Sequence, residues 1–175
     1  MKSKAFTLIE VIVATFIITV GIGGVYVLIQ KTISDTTLLT GRFTAIYLAQ
    51  EGVEIVKNIR DTNFIKIYEG ELSEDQWTQG LTGCESGCGA DFNDSFLSLG
   101  NDDIFLKKDE GGFYDYESVT DAPFKRKITI FDLVDLDGDD IDDQIKVLVE
   151  VSWKEKGNDY KVTVQENVYN WWQKI

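Results

Sequence analysis

The sequence predicts an α+β fold: one long N-terminal helix, its first half able to cross a membrane, packed against a C-terminal antiparallel β-meander. Three observations carry this. Phe6 to Ile29 is an apolar run of 24 residues with a single ionisable side chain, Glu10. From Lys31 to Arg60 apolar residues recur at helical steps. From Ile104 onward the period changes to strand-like alternation, clearest between Ile145 and Trp153.

The apolar run comes first, preceded by Lys2 and Lys4. At about 1.5 Å per residue, a helix of this length spans roughly 36 Å, against about 30 Å for a hydrocarbon core. A secretory signal peptide is the simpler reading, but its apolar region is typically about 7 to 15 residues long, and no small-x-small cleavage pattern follows Ile29. An ordinary signal anchor fits the length, with Lys2 and Lys4 keeping the N-terminus on the cytoplasmic side. Neither reading explains Glu10. An ionised side chain inside a membrane helix costs on the order of 3 kcal/mol and calls for a partner.

The segment Ala5-Phe6-Thr7-Leu8-Ile9-Glu10-Val11 resembles the processing site of type IV prepilins and pseudopilins. The resemblance implies a basic leader cut between Ala5 and Phe6 by a prepilin peptidase, N-methylation of Phe6, and a glutamate at the fifth mature position, which Glu10 occupies. It also implies a pilin-like fold and assembly with other pilin or pseudopilin subunits through the N-terminal helix. The physical logic stands beside the likeness. Cleavage creates an amine at Phe6 that is cationic at neutral pH. When helices pack with a stagger, Glu10 of one subunit neutralises the Phe6 amine of its neighbour, and a wrong register leaves a buried charge costing about 3 to 5 kcal/mol. Two departures stand out: Ala5 takes the place of the usual Gly, and the proline that often kinks this helix is absent, with Gly21, Gly23 and Gly24 in that stretch.

Helical character continues beyond the run. Leu39, Phe43, Ile46, Val53, Val56 and Ile59 form a stripe, opposite Lys31, Asp35, Arg42, Glu51, Glu54 and Lys57. The expected organisation is a leader over 1–5, a membrane and assembly helix over 6–29, the amphipathic half of the same helix over 30–61, a connector over 62–103 and the sheet over 104–175. The connector is rich in Gly, Ser, Asp and Asn, with a short helix expected near Ser73 to Gln79 and with Trp77, Phe92, Phe96 and Leu97 pinning it to the domain. Ile104–Lys107 and Phe113–Glu117 read as a hairpin around Gly111 and Gly112. Phe124–Leu133 is the third strand, and Ile145–Trp153 and Tyr160–Val168 pair across a Lys156-Gly157-Asn158 turn. Trp171 and Trp172 either cap the core or dock on a neighbour.

Composition bounds the chemistry. Net charge is −13, from 30 carboxylates and 17 basic residues, which weighs against nucleic acid as a partner. There is no histidine, so histidine triads, bases and metal sites are excluded. No catalytic constellation remains, and the chain does not read as an enzyme. Between two strands, Asp135, Asp137, Asp139, Asp142 and Asp143 belong to a run of six carboxylates in nine residues. Hard oxygen ligands at alternate positions suit Ca²⁺, although the spacing is not that of an EF-hand; the other reading is a solvated acidic turn. The loop also resembles the Asp-rich calcium loop near the C-terminal end of secretion pseudopilins. Cys84 and Cys88, the only cysteines, either pair as a local staple, as is usual outside the reducing cytosol, or remain free thiols.

The function these readings imply is that of a structural subunit, a minor pilin or pseudopilin of a type IV pilus-like filament. The precursor is expected in the bacterial cytoplasmic membrane as a single-pass protein with its N-terminus inside, and the mature form in an extracellular or periplasmic filament. The alternative is a membrane-anchored, calcium-dependent binding or adhesion module that is neither cut nor polymerised.

Overall fold

The computed structural model describes residues 7–100, 103–136, 138 and 141–171. The chain forms the expected α+β architecture, a long apolar N-terminal helix with an antiparallel sheet packed on it. Helix α1 runs Leu8–Glu69. The strands are β1 (Cys88–Gly89), β2 (Ser98–Leu99), β3 (Phe105–Lys108), β4 (Tyr114–Asp115), β5 (Thr120–Val134), β6 (Gln144–Glu155) and β7 (Asn158–Tyr169). Two compact units divide between Thr40 and Gly41, with α1 contributing to both.

In the first unit α1 starts at a capping-box sequence, Thr7-x-x-Glu10, and the Thr7 hydroxyl accepts the Glu10 amide at 3.3 Å. No residue from Leu8 to Ile33 is buried. Thr15, Thr19, Thr32, Thr36, Thr37 and Thr40 turn their hydroxyls onto carbonyls one helical turn back, so these polar groups are satisfied within the helix itself.

In the second unit the core lies between α1 and one face of the sheet. The buried helix positions are Ala45, Leu48, Ala49, Gly52, Val53, Ile55, Val56, Ile59, Asn63 and Phe64. This corrects the expected stripe: Leu39 and Phe43 are exposed, and Ala45, Ala49 and Gly52 take their place. The reason is distance. A Cβ on Gly52 would lie 2.8 Å from the nearest Val149 methyl, so the sheet approaches the smallest residues and not the largest.

The sheet supplies the other half of the core. Ala122, Phe124, Ile128 and Ile130 on β5, with Ile145, Val147, Val149, Val151 and Trp153 on β6, point inward. The alternation read from β6 therefore holds along its length. β5, β6 and β7 form a continuous antiparallel meander, with Phe124 opposite Trp153 and Trp153 opposite Tyr160. Lys156 and Gly157 both take positive φ, 51° and 82°, as a two-residue type I′ hairpin turn requires. The β3–β4 hairpin also forms, and β3 joins the free side of β5.

Two boundaries differ from expectation. α1 continues to Glu69 and stops at Gly70, where the Glu71 amide bonds the Lys66 carbonyl and the Gly70 amide bonds Ile67, a Schellman stop. The sequence reading ends the helix at residue 61, yet Asn63 is buried within it and donates to the carbonyls of Trp77 and Gln79 at 3.0 and 2.8 Å. That tether satisfies a polar group which would otherwise oppose burial. The connector, besides its short 3₁₀ turn at Glu74–Gln76, contributes strands β1 and β2 to the sheet. It buries Trp77 and Leu97 but leaves Phe92 and Phe96 more than half exposed. Trp171 is 58 % exposed, with one edge against Phe64 at 4.9 Å between ring centres; Trp172 lies outside the described residues.

Candidate functional site

The N-terminal site is built on the first turns of α1. Ala5 and Phe6, the expected cleavage and methylation positions, lie outside the described residues. Glu10 stands on the exposed surface of the first helical turn, among Leu8, Ile9, Val11, Ile12 and Val13, all exposed. A carboxylate in the first turn is favoured by the partial positive charge at the helix N-terminus. Beyond it the surface is apolar on every side to Ile29, apart from the internally bonded threonines and Tyr26. A helix apolar all round is normally buried. None of this stretch is buried by its own unit. The same segment is long and apolar enough to cross a membrane.

α1 passes through Gly21, Gly23 and Gly24 without a break. Nothing lies within 4 Å of where their Cβ atoms would be, and a shallow apolar groove opens along Gly21, Ile22, Val25, Tyr26 and Ile29. Small residues on a helix surface let a second helix approach closely.

Residues 1–26 match the family model of the prokaryotic N-terminal methylation motif. The chain carries that motif. It is the cleavage and methylation motif of type IV prepilins and pseudopilins, and with the membrane-length helix it supports a pilin- or pseudopilin-like, membrane-anchored precursor. The methylation motif points to a structural protein more than to an enzyme, and implies in general terms other pilin subunits and a prepilin peptidase as partners. No curated protein and no solved structure matches the chain.

The methylation motif covers none of the second unit, whose own constellations are three. Asp135, Asp142 and Asp143 of the acidic loop are described, and Asp137, Asp139 and Asp140 are not. Asp135 accepts the Gly138 amide and Asp143 accepts the Leu136 amide, each at 2.7 Å, while the Asp142 carbonyl accepts the Trp77 indole N–H at 2.7 Å. The Asp135 and Asp143 carboxylates thus bond main-chain amides within the described part of the loop. Among the described residues no group of three or more acidic or cysteine side chains gathers as a metal site.

Cys84 and Cys88 are joined in a disulfide, both buried. The Cys84 carbonyl accepts the Ile130 amide at 3.3 Å and Cys88 pairs with Ile128, so the small ring seats the connector on the central strand.

The third constellation is one that sequence reading misses. Arg126 occupies an inward position of β5 and is fully buried. Its guanidinium donates to the carbonyls of Ala90 at 2.5 Å and Leu48 at 3.4 Å and pairs with Glu51 at 3.3 Å. One cation thus ties helix, connector and sheet together. Its only sequence signal is a charge at a position where alternation calls for an apolar residue. Beside it, Asp91 is held above the usual carboxylate range, first by burial and then by Asp94 and Asp115, against the opposing pull of the Tyr116 amide and Arg126.

Proposed function

We propose that the chain is a structural subunit, a minor pilin or pseudopilin, of a type IV pilus-like filament. The observation that carries this is the methylation motif at the head of a helix long and apolar enough to cross a membrane. In this reading prepilin peptidase cuts between Ala5 and Phe6 and the new N-terminus is methylated. The precursor sits in the cytoplasmic membrane with its leader inside, and the mature chain leaves lipid for a helix bundle outside. Glu10 then sets the stagger. In a bundle of low dielectric its carboxylate is compensated only when a neighbour's Phe6 amine lies beside it, and any other register leaves it buried alone.

The test is an intact-mass and N-terminal peptide measurement on native membranes and on sheared surface material. The expected result is a methylated Phe6 N-terminus in the sheared fraction. A chain that begins at Met1 and stays wholly in the membrane would refute the proposal. Glu10→Ala sharpens it: the variant is expected to insert and to be cut normally, yet to be depleted at least about tenfold from sheared material, the scale of a misregister cost above about 1.4 kcal/mol.

A further inference from the structure

Charge in the second unit is segregated. From Ile67 to Leu106 the sequence has nine carboxylates and no lysine or arginine. The outward face of the β5–β6–β7 meander is the reverse. Lys125 and Lys127 on β5, Lys146 and Lys154 on β6 and Lys161 on β7 stand at positions alternate to the buried ones, against Asp121, Glu150 and Asp159, of which Asp159 pairs with Lys154 and Glu150 with Lys161. Five lysines against three carboxylates is a basic face on a chain of net charge −13.

We propose that this lysine face docks the acidic connector of a second copy of the chain. Three observations select that occupant. Glu69, Glu71, Asp75 and Glu85 of the connector are exposed, and among the described residues none of them forms an ion pair with a lysine or arginine of its own chain. The far end of the connector already makes this kind of contact internally, where Asp103 takes Lys125 at 2.6 Å. Two of the face's cations are also held in place: the Lys125 ammonium sits 4.6 Å over the Phe105 ring and the Lys146 ammonium 5.3 Å over Phe131, which keeps both down on aromatic surface. The contact joins two different patches, so it is heterologous and propagates from copy to copy wherever the rotation between copies does not close into a ring. That is the symmetry a filament needs, and in this respect the inference rests on the filament reading. Each exposed ion pair is weak, but helices already packed side by side hold the two patches at high effective concentration.

The experiment uses the full chain in vesicles, mixed from isotope-labelled and unlabelled copies and treated with a zero-length carboxyl-to-amine cross-linker. Mixed-isotope peptides joining the face lysines to Glu69, Glu71, Asp75 or Glu85 are expected. Their yield should fall about fivefold or more between about 50 mM and about 500 mM salt, as exposed charges are screened. Lys127→Glu with Lys154→Glu should abolish them, and Glu69→Lys with Glu71→Lys added to that variant should restore them, which a merely misfolded variant would not allow. The proposal is overturned if only same-isotope links appear, if the links survive charge reversal, or if anionic vesicle lipid shields the same lysines from acetylation without any link forming. The filament reading is read separately from the N-terminus in sheared material. A Phe6 N-terminus there without mixed-isotope links sinks this inference alone.

Discussion

Arg126 shows how one residue can organise a domain. Replacing a buried ion pair by apolar residues is often neutral for stability, so the role of Arg126 is better seen in what it brings together: the Leu48 turn of the helix, Ala90 in the connector and the centre of β5. Asp91, next to it, has one carboxylate oxygen without a partner and its pKa is raised mainly by burial. The sign follows. A carboxylate whose folded pKa lies above its unfolded value weakens the fold where it must be charged, and that penalty vanishes as pH falls below the unfolded value. Asp91→Asn is therefore expected to raise the thermal midpoint at pH 7, with the gain shrinking to nothing as pH is lowered through the carboxylate range. A midpoint lowered at pH 7, or a gain that does not change with pH, would contradict this account.

At the scale of elements, the helix–sheet contact is set by absence of side chain. Gly→Ala inside a helix normally gains about 1 kcal/mol. At Gly52 the new methyl would meet Val149 at 2.8 Å and Arg126 at 3.3 Å, and forcing a packed contact apart costs about 1 to 3 kcal/mol. Gly52→Ala should thus destabilise the second unit, whereas Gly23→Ala, with nothing within 4 Å, should not; denaturant melts of the two variants decide it. The same contact explains what was legible in the sequence. The strands and their inward residues were, because alternation in β6 reports burial directly. The helix face was only half so. Stepping along large apolar residues selects Leu39 and Phe43, while the sheet selects Ala45, Ala49 and Gly52. The helix end was hidden for a related reason: the acceptors that hold buried Asn63 in the helix, the carbonyls of Trp77 and Gln79, lie 14 and 16 residues further on.

On the scale of the whole molecule, the two units make opposite demands on their surroundings. Every residue of the buried core lies at or after Ala45, so a fragment of residues 41–175 holds all of it. That fragment is expected to be soluble without detergent and to unfold cooperatively by circular dichroism, while the full chain requires detergent or lipid. Failure of the fragment to unfold cooperatively would show that the first forty residues support the domain. The N-terminal motif was legible because its chemistry is local, a small residue, an aromatic and one carboxylate within a few positions. Arg126 was not, since its partners lie 36 and 78 residues away in sequence.

Those separations also set a timetable. A ribosome adding roughly 5 to 20 residues per second makes the Leu48 turn some 4 to 16 s before it reaches Arg126, and the strand that lies on Gly52 comes later still. During that interval the small-residue face of the helix has no cover from its own chain. How quickly the tail arrives, and not how firmly the finished domain holds, then governs how many newborn chains go astray.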